Sequence, residues 1–382
     1  MSRLNVSNLF NENEDGAPVV SGISTFSSPH YFVPPSGSTA ERPQNPGEGM
    51  IRFNTDSGHL EYYSGELWVD VITNNNELGN HLVTNSAGGT GTRGVLMGGG
   101  VPGLVNDIDY ITVETLGNSQ DFGDLASTRR GSQNGQAGSR VKGLAMGGDN
   151  TVSTVASIIF ASTGSATDTG SILTQGRRLG GGASNQTRAL YAGGLSSPVA
   201  RNTIDATDIA SLGSSQDFGD LSAASYFNSG VSSSVRGVFT LGNDGGSYNG
   251  NIDYVTLSSQ GNGQDFGDSV LATNPDGAGN SIRGVFSGGA SPAYTNTIQF
   301  LTIATTGNSQ DFGDLTSAKG MAGSVSSPTR HIHIAGRNGG GSMIDEMDYV
   351  TIMTTGNAIS FGELVGSDRF RPTSGSNGHG GL

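Results

Sequence analysis

The chain predicts an all-β fold, a six-bladed β-propeller, and three observations carry the prediction. A segment close to Gly-Asn-Ser-Gln-Asp-Phe-Gly-Asp-Leu recurs six times, intact from Gly117 and Gly307 and altered from Gly164, Gly213, Gly261 and Gly356. The steps between copies are 47, 49, 48, 46 and 49 residues, too regular for chance and too long for a helical or collagen repeat. A second landmark runs in phase with the first: a basic residue, a short apolar run and a glycine pair, opening at Arg93, Lys142, Arg188, Arg236, Arg283 and Arg330. One unit of this length, copied six times and rich in short apolar runs, fits the blade of a propeller.

Each unit reads as four strands. The first precedes the basic residue, and the second ends at the glycine pair. The second glycine of the pair holds in all copies, while the first is replaced by Leu241 in the fourth and Ala335 in the sixth. Glycine enters positive-φ space without steric cost, so a fixed glycine after an apolar run marks a tight turn. The third strand is β-branched and aromatic, as in Ile-Asp-Tyr-Ile-Thr-Val from Ile108 and Ile-Asp-Tyr-Val-Thr-Leu from Ile252. The fourth runs through Phe-Gly-Asp-Leu. The stretch Ser-Asn-Gly-His-Gly-Gly-Leu from Ser376 echoes Ser-Asn-Gln-Thr-Arg-Ala-Leu from Ser184. The C-terminal strand is therefore expected to complete the first blade, which pairs the edges an open array would expose.

Residues 81–382 resemble the Kelch family of propellers on these landmarks. In that family a glycine pair ends the second strand, an aromatic residue follows the third, and an Arg lies in the stretch leading to the next unit. Phe122, Phe218, Phe266, Phe312 and Phe361 stand where Kelch repeats usually carry Trp, and the second unit has Thr169. The resemblance implies a Kelch-like architecture and no particular activity, since propellers host enzymes, receptors and scaffolds alike.

The first 80 residues do not share the repeat. Residues 1–37 are polar, contain Pro34-Pro35, and read as an arm or tether. Residues 38–80 hold a small β-meander, with strands expected at 50–54, 60–63 and 67–71 and turns at Asp56-Ser57-Gly58 and Ser64-Gly65. Arg42-Pro43, Pro46-Gly47, residues 51–56, Leu60-Glu61-Tyr62 and Trp68-Val69 resemble a module of tail-fibre and appendage proteins of tailed bacteriophages. The opening Met-Ser-Arg-Leu-Asn-Val resembles structural proteins of phages that infect marine cyanobacteria. These resemblances imply a virion structural protein, made in the host cytoplasm and anchored to other virion proteins through residues 1–71. They further imply a homo-oligomeric assembly that presents its propeller to a host-surface glycan or protein. About 22 residues in three strands bury too little surface to fold alone, so Phe53, Tyr62, Tyr63, Leu67 and Trp68 are expected to anchor against something else.

Composition narrows the rest. The net charge of -14 disfavours nucleic acid, whose phosphates call for a basic surface. No apolar stretch approaches the ~18 residues of a membrane helix, so no membrane insertion is expected. Without cysteine there is no disulfide, thiolate metal site or thiol nucleophile.

No catalytic residue, cofactor or metal is assigned. His331 and His333 share a strand face, but no third ligand stands at a telling spacing. The Asp pairs of Gln-Asp-Phe-Gly-Asp supply too few oxygens for calcium and read as turn-forming residues. The six basic residues read as structural, since a residue repeated in every unit serves every unit, for example by pairing with a neighbour's Asp. The rival reading, a glycan-degrading hydrolase on a propeller scaffold, needs two convergent carboxylates, and none is singled out. Function is expected where the copies differ, on the loops after the glycine pairs and between units, which share a face in a Kelch-like blade. The expected contact residues are Asn106, Asn150, Arg177, Arg178, Asn202, Tyr226, Tyr248, Asn249, Tyr294 and Asn296.

Overall fold

A computed structural model describes residues 34–57, 59–71, 92–149, 152–270, 274–290, 293–366 and 368–382. Residues 1–33, which make up most of the expected arm, and Asn150 lie outside the described residues. Strands account for 52% of the structure and helix for 1%, which fixes the class as all-β. The chain divides into two compact units, Met1–Asn75 and Asn76–Leu382.

The first unit is a four-stranded sheet. Its strands Ile51–Asn54, His59–Tyr63 and Trp68–Val71 form the expected antiparallel meander, and Ser36–Gly37 adds a short parallel strand that the sequence reading did not include. Cross-strand register puts Ile51, Phe53, Leu60, Tyr62, Val69 and Val71 on one face and Arg52, Asn54, Glu61, Tyr63 and Trp68 on the other. The second face is the covered one, and its centre is ionic. Glu61 is fully buried, accepts from Arg42 and Asn54, and pairs with Arg52. The Arg42 hydrogen bond holds the Glu61 carboxyl below its ordinary pKa. The five expected anchors therefore do not share a face. Phe53 and Tyr62 lie exposed on the open face, Tyr63 and Trp68 stack on each other at 5.5 Å on the covered one, and Leu67 sits exposed in the turn.

The second unit contains the six repeats, and most of them are four-stranded antiparallel sheets in the expected order. The third repeat, for example, runs Gly180–Ser184, Arg188–Ser196, Val199–Asp208 and Gln216–Asp220. In the first, the C-terminal strand Thr373–Ser376 pairs with Arg93–Val101 ahead of Gly103–Thr112 and Gln120–Asp124, as the sequence echo predicted. The second repeat departs from this pattern. Its first strand, Gln133–Gly135, pairs in parallel with Gly180–Ser184 and Ser229–Ser232, fusing the third and fourth sheets into one of nine strands. Gly135, Gly182 and Gly230 meet there. A Cβ on Gly135 would stand 2.3 Å from the Gly230 carbonyl oxygen, so only glycine lets these backbones approach closely enough to bond.

The core lies between repeats rather than within them. Strand alternation sends Val95 one way, into a cluster with Ala145, Ile158 and Phe160 of the second repeat. It sends Leu96 the other way, into a cluster with Val325, Ile332 and Phe361 of the sixth. The same sharing joins the second repeat to the third, the third to the fourth, the fourth to the fifth and the fifth to the sixth.

The recurring motif explains itself at these joints. The N–H of the motif glycine donates to the Phe carbonyl of the preceding repeat's motif: Gly164 to Phe122, Gly261 to Phe218, Gly307 to Phe266, Gly356 to Phe312, and Gly117 to Phe361. The motif Asn caps the same contact, as where Asn308 Oδ1 accepts from the Asp268 N–H. The motif Phe packs edge-on against the aromatic residue of the third strand, as in Tyr254 with Phe266. The motif Asp residues are mostly exposed and lie in the fourth strand rather than in turns; Asp217 accepts from the Gly219 N–H at a bulge within that strand.

The six landmark cations are inter-repeat ties as well. Each donates to a backbone carbonyl at the end of the next repeat's third strand: Arg93 to Phe160, Lys142 to Ile209, Arg188 to Leu257, Arg236 to Ile303, Arg283 to Ile352, and Arg330 to Val113. Most also lie over an aromatic ring of their own repeat, Arg236 at 4.3 Å from the centre of Tyr254. The expected Asp partner is replaced by a carbonyl because the motif carboxylates point to solvent.

Candidate functional site

The segments that lead from one repeat into the next gather at one mouth. The glycine pairs share that end. The N–H of Gly99 donates to the Arg129 carbonyl, Gly148 to Arg177, Gly194 to Ser225, Gly289 to Lys319 and Gly336 to Arg369. A Cβ on Gly98 would stand 2.3 Å from the Arg129 carbonyl oxygen, which is why a glycine is needed there.

Cations on these segments divide by position. Arg129, Arg177, Lys319 and Arg369 are fully buried. Arg177 pairs with Asp205 at 2.8 Å, Lys319 with Asp348 at 2.9 Å, and Arg369 with Asp109. Arg129 donates instead to the carbonyls of Ala145, Gly147 and Thr154. Arg177 is thus an internal strut and not the contact residue expected from the sequence. An Arg beside a fixed Asp two strands away is held inward by the ion pair, because a buried carboxylate left alone would cost several kcal/mol, on the order of 3 or more.

Two residues further along, the chain turns left-handed. Leu179, Phe227, Asn274, Met321 and Arg371 have φ between 53° and 61°, and Gly131 holds the sixth equivalent place at 61°. The twist aims backbone groups at the neighbouring segment. The N–H of Arg371 donates to Met321, Gly131 to Arg371, Leu179 to Gly131, and Phe227 to Leu179. These residues, with Ser132, Gln133, Asn134, Asp276, Ala322 and Pro372, line a small cavity of about 40 Å³.

Charge concentrates at its rim. Asp149 is shared by Arg130 at 2.5 Å and Arg178 at 2.8 Å. Phe370 carries Arg337 at 3.8 Å, Arg130 at 5.0 Å and Arg371 at 5.8 Å from its ring centre. Arg371 also lies 4.7 Å over Phe227. Burial is the first cause lowering the Arg371 pKa, to about 10, and Arg130, Arg178 and Arg337 add repulsion while Asp149 opposes it. On the cavity floor, Asp276 accepts from Asn134 at 3.0 Å and from the Ala322 N–H at 2.9 Å. Burial pushes it up to about 7 against those bonds and against Arg371.

Of the contact residues expected from the sequence, Arg178, Tyr226 and Tyr294 adjoin this mouth. Arg178 and Tyr226 immediately precede Leu179 and Phe227, and Tyr294 reaches the Met321 sulfur at 3.9 Å. Asn106, Asn202 and Asn296 stand in the third-strand region, where their carbonyls accept from Leu125, Leu221 and Leu315. Tyr248 and Asn249 lie on the loop after the fourth repeat's glycine. The sequence reading missed Leu179, Phe227, Asn274, Met321 and Arg371. Their signal was a position two residues after Arg129, Arg177 and Lys319 whose side chain changes in every copy. His331 and His333 are buried around Ser287, whose hydroxyl lies 2.9 Å from a ring nitrogen of each. Among the described residues, no group of three or more His, Cys, Asp or Glu could hold a metal ion. No protein-family model matches the chain, and no curated protein matches it significantly.

Proposed function

We propose that the six repeats are the blades of one closed, Kelch-like propeller. On this reading the protein is a non-enzymatic virion component, a tail fibre or surface appendage, whose variable mouth serves recognition of a host surface. One observation carries the closure: each kind of joint made between successive repeats recurs between the sixth and the first. Gly117 bonds to Phe361, Arg330 reaches the carbonyls of Val113 and Glu114, and Leu96 shares a core cluster with Ile332. A linear stack has no use for such a joint, because its terminal repeats meet no partner.

Recognition is favoured over turnover by where the carboxylates go. Asp205, Asp253 and Asp348 are buried one per repeat, each taken up by the Thr or Ser of its own incoming segment. A glycosidase pair would have to converge. The appendage reading rests on the resemblance of residues 42–69 to phage modules. It also rests on the open apolar face of Ile51, Phe53, Tyr62 and Val71, a patch that calls for a covering partner.

The test is deletion of residues 1–71 in the phage that encodes the chain. The shortened protein is expected to unfold cooperatively in a thermal melt and to be absent from purified particles. Its incorporation at the normal level would discard the anchor.

A further inference from the structure

The mouth carries more than a general recognition surface. Charge is the first argument. In a chain of net charge -14, Arg130, Arg178, Arg337 and Arg371 crowd one rim, where Asp149 pairs with two of them and the buried Asp276 lies on the floor. Such an excess of like charge is costly unless an anion joins it. Among the described residues Arg371 makes no ion pair within bonding distance, and its Nε is buried without a hydrogen bond. A planar guanidinium held between Phe227 and Phe370 keeps its fork in a fixed plane, the geometry that a carboxylate meets with two bonds.

Independently of charge, the cavity holds an unmet acceptor. Asn274 is 8% exposed, lines the cavity, and its Oδ1 has no partner. A buried carbonyl oxygen left unpaired loses its hydration without compensation, so a donor is missing. A hydroxyl on the ligand supplies it. Leu179, Phe227 and Met321 offer an apolar wall for the body of a ring, while Asn134 and Asp276 make a polar floor. The cavity itself holds only about 40 Å³, so the charged and hydroxyl-bearing edge of a ligand enters it while the rest stays at the open mouth.

We infer that the mouth binds a carboxylated sugar ring, a uronate, with its carboxylate on Arg371, a ring hydroxyl on Asn274 Oδ1 and its carbon face against Phe227. A phosphate ester fits less well, since its second charge would face Asp276. The uronate is a free sugar or the end of a glycan, and the chemistry at Arg371 is the same in both. The inference concerns the purified protein and stands whether or not the chain is carried on a particle.

The experiment is titration of the full chain with D-glucuronate, its methyl glycoside, glucose and glucose 6-phosphate, read by ligand-observed NMR and calorimetry. The two uronates are expected to bind at least about tenfold more tightly than glucose, the loss expected when a charged bidentate contact has no partner. Binding of the methyl glycoside assigns the site to a glycan end, and its rejection assigns it to the free sugar. Arg371→Met and the isosteric Asn274→Asp should each weaken the uronates about tenfold, while Arg140→Met, an exposed arginine outside the mouth, leaves them unchanged. Should Arg371→Met fail to fold, Asn274→Asp carries the test, because it changes charge without shape. Absence of uronate binding, equal binding of glucose or of glucose 6-phosphate, or binding indifferent to a folded Arg371→Met or Asn274→Asp variant overturns the inference.

Discussion

The outer edge of the repeats and their inner mouth obey opposite rules. At the edge, Gly-Asn-Ser-Gln-Asp-Phe-Gly-Asp recurs closely in four copies, and its two glycines hold in all six, because each copy must accept the next at backbone distance. A Cβ on Gly267 would stand 2.5 Å from the Gly307 carbonyl carbon, and one on Gly362 would stand 2.3 Å from the Gly117 oxygen. At the mouth, the six equivalent positions carry Gly131, Leu179, Phe227, Asn274, Met321 and Arg371, and the backbone is the same in all of them. Side chains are free to diverge there because the inter-repeat bonds are made by N–H and carbonyl groups. The difference teaches where to look for function in a repeat protein: where geometry is shared and chemistry is not.

The largest expected effect lies at the edge. Gly267→Val and Gly362→Val force a β-branched side chain into positive φ and into a neighbouring backbone. Each should lower unfolding free energy in urea by roughly 3 kcal/mol or more. The two should match. A mild Gly362→Val beside a severe Gly267→Val would mean that the sixth and first repeats are not joined, and the closed propeller would fall.

A buried histidine near the C-terminus gives the next effect. His379 is buried with Nε2 at 3.2 Å from the Gly138 carbonyl and Nδ1 accepting from the Gly381 N–H, so the ring is neutral. Burial first, with Arg140 adding repulsion, lowers its pKa from 6.5 to about 4. The unfolded chain therefore takes up the proton first as pH falls. The stability His379 confers is complete above about pH 6.5 and is lost progressively down to about pH 4. The stability gap between the wild type and His379→Gln should shrink by about 3 kcal/mol between pH 7 and pH 4, measured by chemical denaturation. Taking this difference cancels Asp276, whose raised pKa acts with the opposite sign, stabilising the fold as pH falls from about 7. A gap independent of pH would show that His379 is not held neutral.

The smallest effect belongs to the mouth. Phe227→Gly removes a left-handed non-glycine residue, a relief of about 1–2 kcal/mol, and also removes the ring under Arg371. The two nearly offset, and the unfolding free energy should move by less than about 1 kcal/mol. A loss comparable to that of Gly267→Val would erase the contrast between edge and mouth.

Much of this was legible in the sequence. The period, the four strands of a repeat and the strand returned by the C-terminus all follow from spacing and alternation, which are local properties. The second glycine of each pair was read as a turn that ends the strand, but in the first, third and sixth repeats it sits at a bulge inside a strand that runs on, Arg93–Val101, Arg188–Ser196 and Arg330–Asn338. Other features were hidden because they depend on which strands become neighbours. Arg177 and Arg178 look alike in the sequence, yet Asp205 draws the first inward and Asp149 holds the second at the rim. The anchors of the meander were read as one apolar set, but register divides Phe53 and Tyr62 from Tyr63 and Trp68. Arg371 had only its place two residues after Arg369 to mark it, since its role comes from the left-handed turn at that position.

By itself the sequence determined that one β unit is repeated six times with glycine where copies touch, because hydrophobic alternation and glycine's missing Cβ act over a few residues. Only the tertiary structure decided that the core lies between repeats, that four cations are interior struts, and that Arg371 and Asn274 share one cavity. Those outcomes are set by contacts between residues tens to hundreds of positions apart, where burial and ion pairing outweigh any local preference.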